Sequence, residues 1–144
     1  MKKRNKLGIL ITGGGRRIGA AIAKALAADG WFVYIHCHKS SDEAKLVLND
    51  IRKNHGDGMV IVEDLALVGA AEKVIKQTVQ GPVPLVAMVN NASLFEYDSI
   101  KTVTEESLDE HFSINVRSPI LLSKAFSSSL SNDREGCIIN ILDN

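Results

Sequence analysis

Apolar residues in this chain fall into two kinds of block. Five short runs are apolar almost throughout: residues 7–12, Trp31 to Cys37, Met59 to Val62, Leu85 to Val89, and Cys137 to Leu142. A run of that length with no polar face predicts a strand buried on both sides of a sheet. Between the runs, apolar residues return every three or four positions, the period of a helix with one buried stripe. Ile18, Ile22 and Leu26, with several alanines, make such a stripe over residues 17–29, and Gly30 is placed to end that helix. Ser41-Asp42-Glu43 caps a second helix running to about Asn54. A third runs from about Val68 to Gln80, where Gly81-Pro82-Val83-Pro84 breaks it. After a loop at 94–104, a long helix spans Glu105 to Ser129, with a kink expected at Pro119 inside it. Residues 131–136 form a turn before the last strand. Strand and helix thus alternate through the chain. That predicts an α/β fold, a doubly wound parallel sheet in the order 3-2-1-4-5 with right-handed crossovers.

The first strand runs straight into Thr12-Gly13-Gly14-Gly15-Arg16-Arg17-Ile18-Gly19, and a helix follows. Glycines let the backbone turn sharply and let a phosphate approach with no Cβ in the way. The helix start offers unpaired N–H groups and a positive dipole end. Strand, glycine turn and helix together open a dinucleotide-binding βαβ unit. In such sheets ligands sit at the carboxyl ends of the strands, beside the switch point between strands 1 and 4. The chain's unusual residues cluster there: the glycine turn, His36 to Ser40, Asp64-Leu65, Asn91 to Ser93, and Asp143.

Composition narrows the alternatives. With 144 residues the chain has material for one domain with one core. Its formal net charge of zero gives no sign of a nucleic-acid-binding surface. Lys2, Lys3, Arg4 and Lys6 make a basic start, read as a solvated tail. The apolar run after them is too short for a signal peptide, and no run reaches membrane-spanning length. Cys37 and Cys137 show neither paired nor metal-type spacing, so both are expected as reduced thiols of a cytoplasmic protein, with no metal site.

The turn reads Thr12-Gly13-x-x-x-Arg17-x-Gly19. It resembles the T-G-x-x-x-G-x-G turn of the short-chain dehydrogenase/reductase family, with Arg17 in place of the middle glycine, as in the pteridine reductase subgroup. The resemblance implies a Rossmann-like, NADP-binding domain over residues 1–144. The end of the second strand favours NADP(H) over NAD. His36-Cys37-His38-Lys39-Ser40 has no acid to accept from the ribose hydroxyls, while Lys39, with Arg17 nearby, would attract a 2′-phosphate and Ser40 would add a hydrogen bond. The plainer alternative is a solvated basic loop. Asp64-Leu65 resembles the family's pair beside the adenine; Asp64 could equally cap the next helix. Asn90-Asn91-Ala92-Ser93 is similar to the family's Asn-Asn-Ala-Gly, where the cofactor ribose passes over small residues. Ser93 matches the pteridine reductase pattern, in which that serine faces cofactor and substrate. Phe95 falls where the subgroup stacks a phenylalanine on the pterin ring; otherwise it is a loop residue tucked against the core. Asn115 resembles the helix asparagine of the family's catalytic tetrad, which bends the helix and holds a relay water. Asp143 stands where the subgroup has an aspartate able to assist proton delivery.

The resemblance covers most of this chain but only the N-terminal part of a family member. The family's catalytic Tyr-x-x-x-Lys lies on the helix after the fifth strand, beyond these residues. Tyr97-Asp98-Ser99-Ile100-Lys101 has those letters in the wrong place, in the loop after the fourth strand, and is read as coincidence. The expectation is therefore an NADPH-dependent reductase of a pteridine-like or other carbonyl small molecule, truncated after the fifth strand and inactive alone. The alternative is a shortened, catalytically inactive NADP(H)-binding module. A flavodoxin-like domain would leave Asn90 to Ser93 and Asn115 without an account. Uncovered apolar surface on the fifth strand and the long helix predicts a homo-oligomer.

Overall fold

The computed structural model describes residues 7–142. The basic start at Lys2 to Lys6 and the candidate Asp143 lie outside the described residues. In chain order the elements are β1 (Gly8–Ile11), α1 (Arg17–Ala28), β2 (Phe32–Cys37), α2 (Ser41–Lys53), β3 (Asp57–Val62), α3 (Ala70–Val79), β4 (Leu85–Asn90), α4 (Glu105–Phe112), a π-helical segment (Ser113–Arg117), α5 (Ser118–Ser129) and β5 (Cys137–Asn140). The five strands form one sheet in the order β3-β2-β1-β4-β5, every pair parallel, as the alternation predicts.

The core has two layers. Ile9, Ile11, Val33 and Ile35 point to one face and pack with Ala23 and Ala27 of α1 and Val47 and Ile51 of α2. Leu10, Phe32, Tyr34 and Met88 point to the other, against Val74 of α3 and Leu122 and Phe126 of α5. β1 and β2 are buried along their whole length, which is why both read as unbroken apolar runs. β5 differs, since all four of its residues are exposed. Ile138, Ile139, Ile141 and Leu142 remain open to solvent, as do Phe112, Val116 and Ile120 on the long helix.

Several boundaries move, each for a local reason. β3 begins at Asp57, before Met59, because Asp57 and Gly58 pair with Phe32 and Val33. A Cβ on Gly58 would stand 2.4 Å from the Val33 carbonyl oxygen, so only glycine allows that pairing. α3 begins at Ala70, after Gly69, whose φ of +79° is incompatible with a helix. Asp64 therefore caps no helix; its carboxylate accepts from the Ala66 N–H at 2.9 Å and closes a turn. The N-cap of α2 is Ser40, with Asp42 and Glu43 in the first turn. β5 pairs only as far as Asn140, short of Leu142. The irregularity in the long helix is the π segment, immediately before Pro119 rather than at it.

Candidate functional site

The carboxyl ends of β1 to β4 open onto a cleft of about 550 Å³. The glycine turn, the His36–Ser40 stretch, Asp64-Leu65 and Asn91 to Ser93 all line it, as does Ile114, beside Asn115. Phe95 is not brought there: it is 84% exposed, neither in the cleft lining nor tucked against the core. Among the described residues no cluster of histidine, cysteine and acidic side chains could hold a metal ion.

The turn is held by Thr12 and Asn91, the residues directly after β1 and β4. The Thr12 hydroxyl accepts from the N–H groups of Asn91 (2.9 Å) and Ala92 (3.0 Å). The Asn91 amide donates to the carbonyls of Thr12 (2.9 Å) and Gly13 (3.2 Å). Gly13 takes a left-handed φ of +63°, which suits glycine. These bonds leave the start of α1 facing the cleft. Its N-cap, Arg16, contributes no side-chain cap, so the first N–H groups of the helix have no capping side chain.

His36 ties the turn to β3. Its Nδ1 accepts the Gly13 N–H at 3.3 Å, and its Nε2 lies 3.0 Å from the Glu63 carbonyl oxygen. Those partners require a neutral ring protonated on Nε2. Burial disfavours the imidazolium and lowers the pKa from 6.5 to about 4, against the opposing pull of the Glu63 carbonyl. Between those values the unfolded chain binds the proton and the native one does not, so stability rises with pH. Acidification from pH 7 to 4 is expected to cost roughly 3 kcal/mol through His36 alone, at about 1.4 kcal/mol per pKa unit. Denaturant titrations across that range should show the loss, and His36→Asn should flatten it.

Arg16, Arg17 and Lys39 line the cleft, and Asp64 is the only acid among its lining residues. His38 lies 3.6 Å from Asp64. Arg17 has a φ of +47°, a left-handed conformation that costs a non-glycine residue about 1–2 kcal/mol. Such strain in a cleft calls for a functional reason. Arg17→Gly is expected to stabilise the fold by roughly 1 kcal/mol, seen as a higher unfolding midpoint, while weakening binding of an anionic ligand. A variant that gained stability and kept full affinity would remove Arg17 from the ligand site.

Asn115 lies in the π segment. Its Nδ2 donates to the Leu94 carbonyl and its Oδ1 accepts the Leu94 N–H, both at 2.8 Å. The side chain thereby clasps the loop that follows Ser93. The π turn closes with the Ser118 N–H donating to the Ser113 carbonyl. Pro119 has no N–H to give the Asn115 carbonyl four residues back.

The profile of the short chain dehydrogenase family matches residues 8–142. The chain belongs to the short-chain dehydrogenase family. It is 35% identical over 122 residues to elsinochrome reductase 1 of Elsinoe fawcettii, covering 85% of this chain and 46% of that protein. It is 32% identical over 115 residues to versicolorin reductase stcU of Emericella nidulans, covering 80% and 44%. Among solved structures, FolM alternative dihydrofolate reductase 1 from Brucella suis, in complex with NADP, superposes with a TM-score of 0.88 at 35% identity, covering 95% of this chain and 57% of that one. The chain spans about half the length of the curated relatives it matches.

Within this short-chain dehydrogenase, Arg16 and Cys37 line the cleft from inside the glycine turn and the His36–Ser40 stretch, and Leu94 and Ile114 line it from outside every stretch that the sequence singles out. Leu94 and Ile114 are ordinary apolar residues with no local signal; the Asn115 side chain, next to Ile114, bonds the Leu94 backbone. No helix among the described residues is long and apolar enough to cross a membrane.

Proposed function

We propose that residues 1–144 hold NADP(H) and that the protein to which they belong is an NADPH-dependent reductase of a small molecule. The observation that carries this reading is the charge at the end of β2: Lys39 and Ser40 line the cleft, as do Arg16 and Arg17, and no carboxylate stands on that strand end. A 2′-phosphate would be attracted there, whereas NAD recognition uses an acid. The NADP complex of the Brucella relative supports the same reading. In the proposed arrangement of this chain, Lys39 and Ser40 take the 2′-phosphate, the N–H groups at the start of α1 take the pyrophosphate, Asp64 and Leu65 border the adenine, and Asn91 to Ser93 border the ribose and nicotinamide. Bound there, the cofactor supplies a hydride. A pteridine-like substrate is supported by Arg17 and Ser93 and by the likeness to the Brucella alternative dihydrofolate reductase; other carbonyl compounds fit the same chemistry. The exposed apolar residues of β5 and the long helix support a homo-oligomer, and two free thiols, Cys37 and Cys137, suit a cytoplasmic protein.

One observation favours the second reading, a binding module without catalysis, for these residues taken alone. The only Tyr-x-x-x-Lys among the described residues starts at Tyr97, which is 92% exposed and outside the cleft lining. Titration with NADPH and NADH, followed by nicotinamide fluorescence, tests the cofactor assignment: NADPH should bind at least tenfold more tightly, and equal affinities would refute it. NADPH oxidation with a dihydropterin by the 144-residue chain would refute the reading of Tyr97 as a bystander.

A further inference from the structure

The two walls of the cleft are tied to one short stretch of helix. On the β4 side, Asn115 clasps Leu94 through both ends of its amide, and His111 Nε2 accepts the Glu96 N–H at 3.2 Å. On the β3 side, the Arg117 guanidinium donates to the Ala66 carbonyl, and the buried Ser118 hydroxyl shares its one proton between the Ser113 carbonyl (2.6 Å) and the Leu65 carbonyl (2.7 Å). Leu65 lines one wall and Leu94 the other. The loops at 64–67 and 93–96 come from different strands, so these side chains form a connection between them that does not run through the sheet. The π geometry bears on this. One extra residue in a helical turn rotates everything after it by about 100° relative to a continuous α-helix. Asn115, which reaches Leu94, and Arg117, which reaches Ala66, both lie inside the π segment, and Ser118, which reaches Leu65, follows it directly.

We propose that the Ser113–Arg117 π segment is a strut that couples the two walls of the cleft, with Arg117 and Ser118 as positioning residues acting through the 64–67 loop. The proposal rests on the reading of the cleft as an NADP(H) site. Its consequence is that filling the adenosine end orders the loop beyond Ser93, at the substrate end, before any nicotinamide is present. Coupling of this kind requires an element that both sites bias, and here the element is rigid helix with bonded side chains on both sides.

The amides of Leu94 and Glu96 report the strut, since each donates to a side chain of this stretch. Hydrogen exchange is measured on the full chain with and without saturating adenosine 2′,5′-bisphosphate, which reaches only the adenosine end. In the unmodified chain, exchange at Leu94 and Glu96 should slow at least fivefold along with the 64–67 loop. In Arg117→Met the slowing at 64–67 should persist and that at Leu94 and Glu96 should vanish. Arg117 is exposed, so its loss leaves the core intact, and Ser118→Ala is the second variant, expected to behave alike. Protection confined to 64–67 in the unmodified chain overturns the strut and leaves the cofactor reading standing. Protection at both loops that survives both variants also overturns it. Failure of the bisphosphate to bind at all would refute the cofactor reading itself.

Discussion

Lys39→Asp is expected to reverse the nucleotide preference. The new carboxylate would face a 2′-phosphate at the end of β2 and could instead accept from the ribose hydroxyls of NADH. Juxtaposed like charges in a binding site cost several kcal/mol, so NADPH affinity should fall roughly 100-fold while NADH affinity holds or rises. Lys39 is exposed, and among the described residues its side chain makes no hydrogen bond or ion pair, so stability should hardly change. Parallel fluorescence titrations with the two nucleotides check this. A variant that still preferred NADPH would mean that Arg16 and Arg17 carry the selectivity, or that the phosphate lies elsewhere.

Gly19→Ala is expected to damage fold and cleft together. A Cβ at this position would stand 2.2 Å from the Gly13 carbonyl oxygen and 2.6 Å from the Asn91 amide nitrogen. Neither neighbour is free to give. The Gly13 carbonyl accepts from Asn91, and the Gly13 N–H is bound to His36. The helix must therefore shift away from the sheet, at a cost of roughly 3 kcal/mol, the upper range for overpacking, and NADPH binding should weaken by at least tenfold. Gly30→Ala is the control. Its φ of +93° strains an alanine, but nothing lies within 4 Å of the added methyl. It should lose about 1 kcal/mol of stability and bind NADPH normally. Chemical denaturation and titration of both variants separate the two outcomes.

The sheet was legible because β1, β2 and β4 are buried on both faces and so carry no polar residue until they reach the cleft. The cleft residues were legible for the opposite reason: polar or glycine residues stood where each run stopped. The start of β3 was hidden because Asp57 and Gly58 look like a turn; tertiary pairing, not propensity, makes them strand. Asp64 was ambiguous because an acid after a strand serves a turn or a helix cap equally well, and Gly69 decided the matter by delaying α3. The π segment left almost no trace, since Ser113 to Arg117 continues a helical pattern and Pro119 marks only the neighbourhood. Phe95 illustrates the limit of motif matching. The sequence placed it two residues past a cleft residue, but the loop turns it outward.

The central claim is that the cleft binds NADP(H) with its 2′-phosphate at the end of β2. The most direct measurement is a crystal structure of the chain grown with NADP⁺. The account predicts the 2′-phosphate within hydrogen-bond distance of Lys39 and Ser40, and the pyrophosphate over the Gly13–Gly19 turn at the start of α1. A nucleotide lying outside this cleft, or one whose 2′-phosphate points into solvent away from β2, would contradict it.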